Sequence, residues 1–185
     1  MSEVMDAAWP EAHEPPRGVE MLRHYLRDLV YGASDGIVTT FAVVAGVAGA
    51  ALAARTVLIL GIANLLADGF SMAAGNYLSI RSDEAVRAFR GQPPAEPFPR
   101  RHGVATFTAF CVAGAVPLLP YLLAPVPQRF PLAVAATLVA MFAVGALRST
   151  VTLLRWWVAG LEMLAVGSAA AAVAYAAGWL LAGIA

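Results

Sequence analysis

The sequence predicts an all-α, polytopic membrane protein of five transmembrane helices, with its N-terminus in the cytoplasm and its C-terminus outside. Three observations predict it. The chain is 60% hydrophobic and only 13% charged, more apolar than a soluble domain with a large core. Its apolar residues gather into five stretches, each near or above the about 20 residues that a helix needs to cross a bilayer. Its basic residues, all 12 of them arginine, fall almost entirely on one side of those stretches.

The elements follow in chain order. Residues 1–19 are acidic and Pro-containing, with no apolar run behind a basic start, and read as a solvated disordered tail rather than a signal peptide. Its Glu3, Asp6, Glu11, His13 and Glu14 could hold a metal only weakly. Residues 20–30 (EMLRHYLRDLV) are amphipathic, with Met21, Leu22, Tyr25, Leu26 and Leu29 on one face. This segment either lies on the membrane surface or continues into the first span. The spans themselves cover about 31–53, 56–80, 103–123, 130–153 and 157–184. Between the second and third lies a short loop, 82–102, with room for one or two helical turns after Arg81 and none for a folded domain. Pro117 and Pro120 should kink or end the third span near its far side. Pro125, Pro127 and Pro131 mark the turn into the fourth. The stretch from Arg148 to Arg155 fits either a loop or an extension of the fourth helix.

Ten arginines (Arg17, Arg23, Arg27, Arg81, Arg87, Arg90, Arg100, Arg101, Arg148 and Arg155) lie at one end of the spans, and only Arg55 and Arg129 at the other. By the positive-inside rule the rich end is cytoplasmic. Net charge is zero, which points to no nucleic-acid partner, and the apolar spans make the lipid bilayer the partner. Cys111 is alone, so no intrachain disulfide forms. Small residues at helix-packing spacings (Gly32 and Gly36; Gly46 and Ala50; Gly167, Ala171, Ala174 and Gly178) should let helices pack closely, within or between subunits.

The second span carries a polar stripe. Asn64, Asp68, Met72 and Asn76 stand at steps of four, which keeps them near one helical face with a drift of roughly 40° per step. Asp68 is costly at mid-membrane. The nearest basic residues along the chain, Arg55 and Arg81, are equally far from it, each about 20 Å away. An unpaired carboxylate there stays protonated, faces water, or holds a cation. Carboxylate and amide oxygens with a thioether suit a first-row divalent ion better than magnesium or calcium. Asp35 sits near the start of the first span, where a helix-starting acid is an equal alternative to a site. Glu162, one to two turns past Trp156 and Trp157, fits a pair with Arg148 or Arg155 better than a ligand role. His13, His24 and His102 show no ligand spacing. No G-x-S-x-G, H-E-x-x-H or P-loop motif is present, so the chain does not read as an enzyme.

Three stretches resemble the vacuolar iron transporter family, which includes the yeast vacuolar iron and manganese transporter and the nodulin-21-like proteins. They are YGASDGIVTTFAVVAGVAGA, GIANLLADGFSMAAGNYLSIRSDE and ALRSTVTLLRWWVAGLEMLAVGSAAAAVAYAAG. The resemblance implies a five-helix protomer working as a homodimer, with the path at or near the two-fold interface. It implies export of Fe(II), and of Mn(II), from the cytoplasm in exchange for protons, with the metal as cargo and no permanently bound cofactor. Asp35 and Met72 match the family's path-lining Asp and Met. The plant-type proteins carry a Glu where this chain has Asn64. They also carry a Glu-rich metal-binding domain where this chain has only 82–102.

The reading is therefore a divalent metal/proton antiporter. Its metal residues are Asp35, Asn64, Asp68 and Met72; Asp35 and Asp68 couple protons; Asn76 and Glu162 are secondary candidates. Asp68 supplies the carboxylate that Asn64 lacks. One helix stripe offers too few ligands, so the site chemistry also asks for a dimer. The all-arginine composition and compact loops point to a bacterial plasma (inner) membrane. The rival readings are a membrane sensor or scaffold that kept the fold without transporting, and an intramembrane enzyme.

Overall fold

The structure, a computed structural model, describes residues 19–183 except 151 and 153. The expected tail, apart from Val19, lies outside the described residues, as does the extreme end of the last span. Six α-helices follow one another: α1 Val19–Gly49, α2 Ala54–Phe89, α3 Pro99–Gly114, α4 Leu119–Leu123, α5 Arg129–Arg148 and α6 Trp156–Ala182. There are no strands among the described residues. Five helical segments are long and apolar enough to cross a membrane, the third being α3 and α4 joined through a 3-10 turn.

The amphipathic segment and the first span are one unbroken helix. Asp35 is thus 16 residues inside α1, not in its first turn, and the helix-starting reading falls away. α1 ends in a Schellman arrangement, Leu52 N–H to Val47 O at 3.1 Å and Ala51 N–H to Ala48 O at 3.0 Å. Ala51 occupies the left-handed position there, with φ 52°. α2 outruns the expected span, continuing to Phe89, and Gly91 (φ 67°) closes it with a second Schellman turn. The charged residues of that extension favour helix as long as they reach water, so hydropathy alone ends the span early. Pro99 opens α3 at a position where its missing N–H costs nothing. Pro117 and Pro120 break the third span after Gly114, as their lost donors require. The Arg148 to Arg155 stretch leaves α5 and does not extend it.

α1 is the central helix. Half of its spanning window is buried, against 11% for α6. It packs parallel to α3 with an offset of 74 residues: Asp28 meets His102, Gly32 meets Thr106 and Gly36 meets Phe110. Glycine is required at this seam. A Cβ on Gly32 would lie 2.5 Å from the Thr106 carbonyl oxygen, and one on Gly36 would collide with the Phe110 backbone. Gly46 and Gly49 dock α6 in the same way, against Ala174, Tyr175 and Gly178. α5 covers α6 through Gly145 and Gly160. The small-residue pairs therefore pack helices within the protomer. Ile37, Phe41, Val44, Phe110, Leu118 and Met141 form the core between them. The outer faces of α2 and α6 keep large apolar side chains exposed, among them Ile59, Phe70, Val173 and Trp179, as lipid contact demands.

Candidate functional site

α1 and α2 run antiparallel, and their polar faces meet level by level. Near the Arg-rich end, Asn76 donates its amide N–H to Asp28 Oδ1 at 2.8 Å. Farther in, Tyr31 and Met72 share the wall of one cavity. Continued inward, the same antiparallel register sets Asp35 level with Asp68 across the two helices. From Asp28 to Asp35 the rise along α1 is about 10 Å. The same register sets Thr40 level with Asn64, and both have a buried side-chain polar atom without a partner among the described residues.

The spacing makes this ladder. His24, Asp28, Tyr31 and Asp35 follow a three-and-four rhythm that keeps them on one face of α1. Asp68, Met72, Asn76 and Ser79 do the same on α2. Asp35, Asn64, Asp68 and Met72 are all half-buried. Among the described residues, neither Asp35 nor Asp68 forms an ion pair. Two uncompensated carboxylates inside an apolar bundle are costly unless a proton or a cation intervenes. Along α2, Asn64 and Met72 stand one turn to either side of Asp68, so this face carries hard and soft donors at successive levels.

Two cavities reach from the Arg-rich end as far as Met72, and neither is lined by Asp35, Asn64 or Asp68. The larger, about 920 Å³, opens at the Arg-rich end and is lined in part by His24, Asp28, Tyr31, Ser34, Asn76 and His102. The smaller, about 360 Å³, adjoins it, sharing Tyr31, Asn76 and Ser79 and adding Met72. Polar side chains thus line a route from the Arg-rich end to Met72.

The secondary candidates resolve differently. Asn76 lines both cavities, but its two amide hydrogens are committed to Asp28 and Thr106, each at 2.8 Å. It braces three helices. Glu162 pairs with Arg148 at the exposed Arg-rich end, away from the Asp35–Asp68 level. The residues that sequence reasoning missed are His24 and His102. Far apart in the chain, they lie side by side in the fold, their ring centroids 5.1 Å apart. Glu96 and Asp28 join them. The rhythm that links His24 to Asp35 on α1 was the one signal in the sequence that could have found them.

The model of the VIT family matches residues 26–94 and 86–179. Vacuolar iron transporter 2 of Oryza sativa subsp. japonica is 26% identical over 208 aligned positions, covering 81% of this chain and 85% of that protein. Vacuolar iron transporter 1 of Arabidopsis thaliana is 27% identical, covering 64% of this chain and 69% of its own length. A vacuolar iron transporter of Toxoplasma gondii is 48% identical over 60 residues, which is 32% of this chain and only 20% of that protein. With the family match spanning the first helix to the last, the chain belongs to the VIT family.

Proposed function

We propose that this protein moves divalent first-row metal ions, Fe(II) and with it Mn(II), out of the cytoplasm in exchange for protons. The reading is supported by the antiparallel register that sets Asp35 level with Asp68 across α1 and α2, neither having a basic partner among the described residues. Relatives named as iron transporters support a metal cargo. The metal enters through the cavity at the Arg-rich, cytoplasmic end and passes Met72. It displaces protons from the two carboxylates and leaves on the far side, from which protons reload them. Asn64 adds an amide oxygen, and Asp68 stands in for the acid that position 64 lacks. A second copy packed along the exposed face of α2 would double the ligand set and cover the half-exposed Asp68. The membrane is the bacterial plasma membrane.

The test is flux of Fe(II), Mn(II), Co(II) and Zn(II) in proteoliposomes, with and without a pH gradient. Wild-type flux should respond to the gradient, and Asp68→Asn should lower it about 10-fold or more and remove the response. Retained proton-linked transport in a folded Asp68→Asn protein would refute the role given to Asp68. Absence of any metal flux from the wild type would favour the sensor or scaffold reading.

A further inference from the structure

A cluster at the cavity mouth has no part in the mid-span site. His24 from α1, His102 from α3 and Glu96 from the α2–α3 loop bring one nitrogen or oxygen each to within 4.8 Å of one another. Glu96 Oε2 lies 3.0 Å from His24 Nε2 and 3.0 Å from His102 Nε2. Ligands bound to a transition metal at about 2.0–2.2 Å stand roughly 3.3 Å apart in a tetrahedral shell. Two of the three separations are therefore already near that spacing, and the third is no more than 4.8 Å.

Two of the three ligands are held from behind. His102 is 5% exposed, and its Nδ1–H donates to Asp28 Oδ2 at 2.6 Å. That bond orients the ring with Nε2 toward Glu96, 3.0 Å from its Oε2, the carboxylate–histidine arrangement that orients metal-bound imidazoles. Asp28 is held in turn by Asn76. Glu96 is placed by buried Glu84, whose Oε1 accepts the N–H groups of Ala95 (3.0 Å) and Glu96 (2.7 Å). All three ligand residues line the large cavity, so the remaining coordination positions face water.

We propose that His24, Glu96 and His102 bind one divalent transition-metal ion at the Arg-rich mouth, with Asp28 as the positioning residue, and that this site loads the mid-span path. Two imidazoles and one carboxylate with open positions fit Fe(II), Mn(II), Co(II) or Zn(II) and disfavour magnesium and calcium. The metal binding stands on the cluster alone, whereas its use in loading rests on the transport reading above.

Co(II) is the probe, titrated into the full chain in nanodiscs and followed by its visible absorption. Wild type should bind with nitrogen-containing ligation. His24→Ala and Glu96→Gln should weaken it about 10-fold or more, while an Asp35→Asn, Met72→Ala double variant keeps it. Asp28→Asn should lower affinity about 10-fold with the same band shape, and Asp28→Glu should recover part. His24 and Glu96 are only partly buried, so their variants leave the bundle intact where His102→Ala could unfold it. Wild-type affinity in both His24→Ala and Glu96→Gln would overturn the site. In proteoliposomes, loading predicts a rise in KM of about 10-fold in His24→Ala that exceeds any fall in maximal rate. Unchanged KM would overturn the loading role. Co(II) binding at the cluster without flux from the wild type would refute the transport reading and leave the site standing.

Discussion

Removing the Glu84 carboxylate should release the loop that carries Glu96. Glu84 is 6% exposed and accepts two backbone N–H groups, at 2.7 and 3.0 Å, from a segment with no regular structure of its own. Hydrogen bonds to a charged acceptor each contribute about 1.5–3 kcal/mol net. Taking the lower figure for both gives about 3 kcal/mol of local stability in Glu84→Ala. At 1.36 kcal/mol per factor of ten, the loop's opening equilibrium shifts about 150-fold. The Arg87 Nε bond to the Pro93 carbonyl (3.0 Å) still tethers the near end, so loss of order should centre on residues 94–98. The assay is hydrogen exchange of the peptide spanning the loop, read by mass spectrometry in nanodiscs, with α5 as internal control. Exchange of Ala95 and Glu96 should speed about 100-fold while α5 is unchanged. Glu84→Gln keeps an acceptor oxygen but loses the charge, roughly half the strength, and should speed exchange about 10-fold. Wild-type protection in Glu84→Ala would refute the claim that this carboxylate fixes the loop.

Two further predictions concern packing. Gly36→Ala would push a Cβ into the Phe110 backbone and should cost at least about 2 kcal/mol, whereas Gly75→Ala meets nothing within 4 Å and should be neutral or slightly stabilising. Thermal unfolding of the two in the same detergent checks this, and equal melting temperatures would contradict the α1–α3 seam. Ala51→Gly should stabilise the protein by about 1 kcal/mol, because Ala51 holds a left-handed conformation that glycine adopts without steric cost. A lower melting temperature would show that the Ala51 methyl group matters more than its backbone.

The five spans, the proline break in the third and the Asp68 stripe were legible because hydropathy and helical period are local properties. The sequence could not say whether 20–30 lay on the membrane or continued the first span, since an amphipathic face permits both. Only the closure of α1 over α3 settled it, and with it the interior position of Asp35. The same limit hid the histidine cluster. His24 and Glu96 are separated by the whole of α2, and spacing rules read ligands only along one element. What brings His24, Glu96 and His102 together is the parallel offset between α1 and α3, set where Gly32 and Gly36 let backbone meet backbone, and the two N–H groups that Glu84 holds. The sequence by itself determined which helices form and which of them carry charge into the membrane, because burial of apolar surface follows residue type. The tertiary structure decided which polar faces meet, because that depends on the registry of contacts between helices distant in the chain.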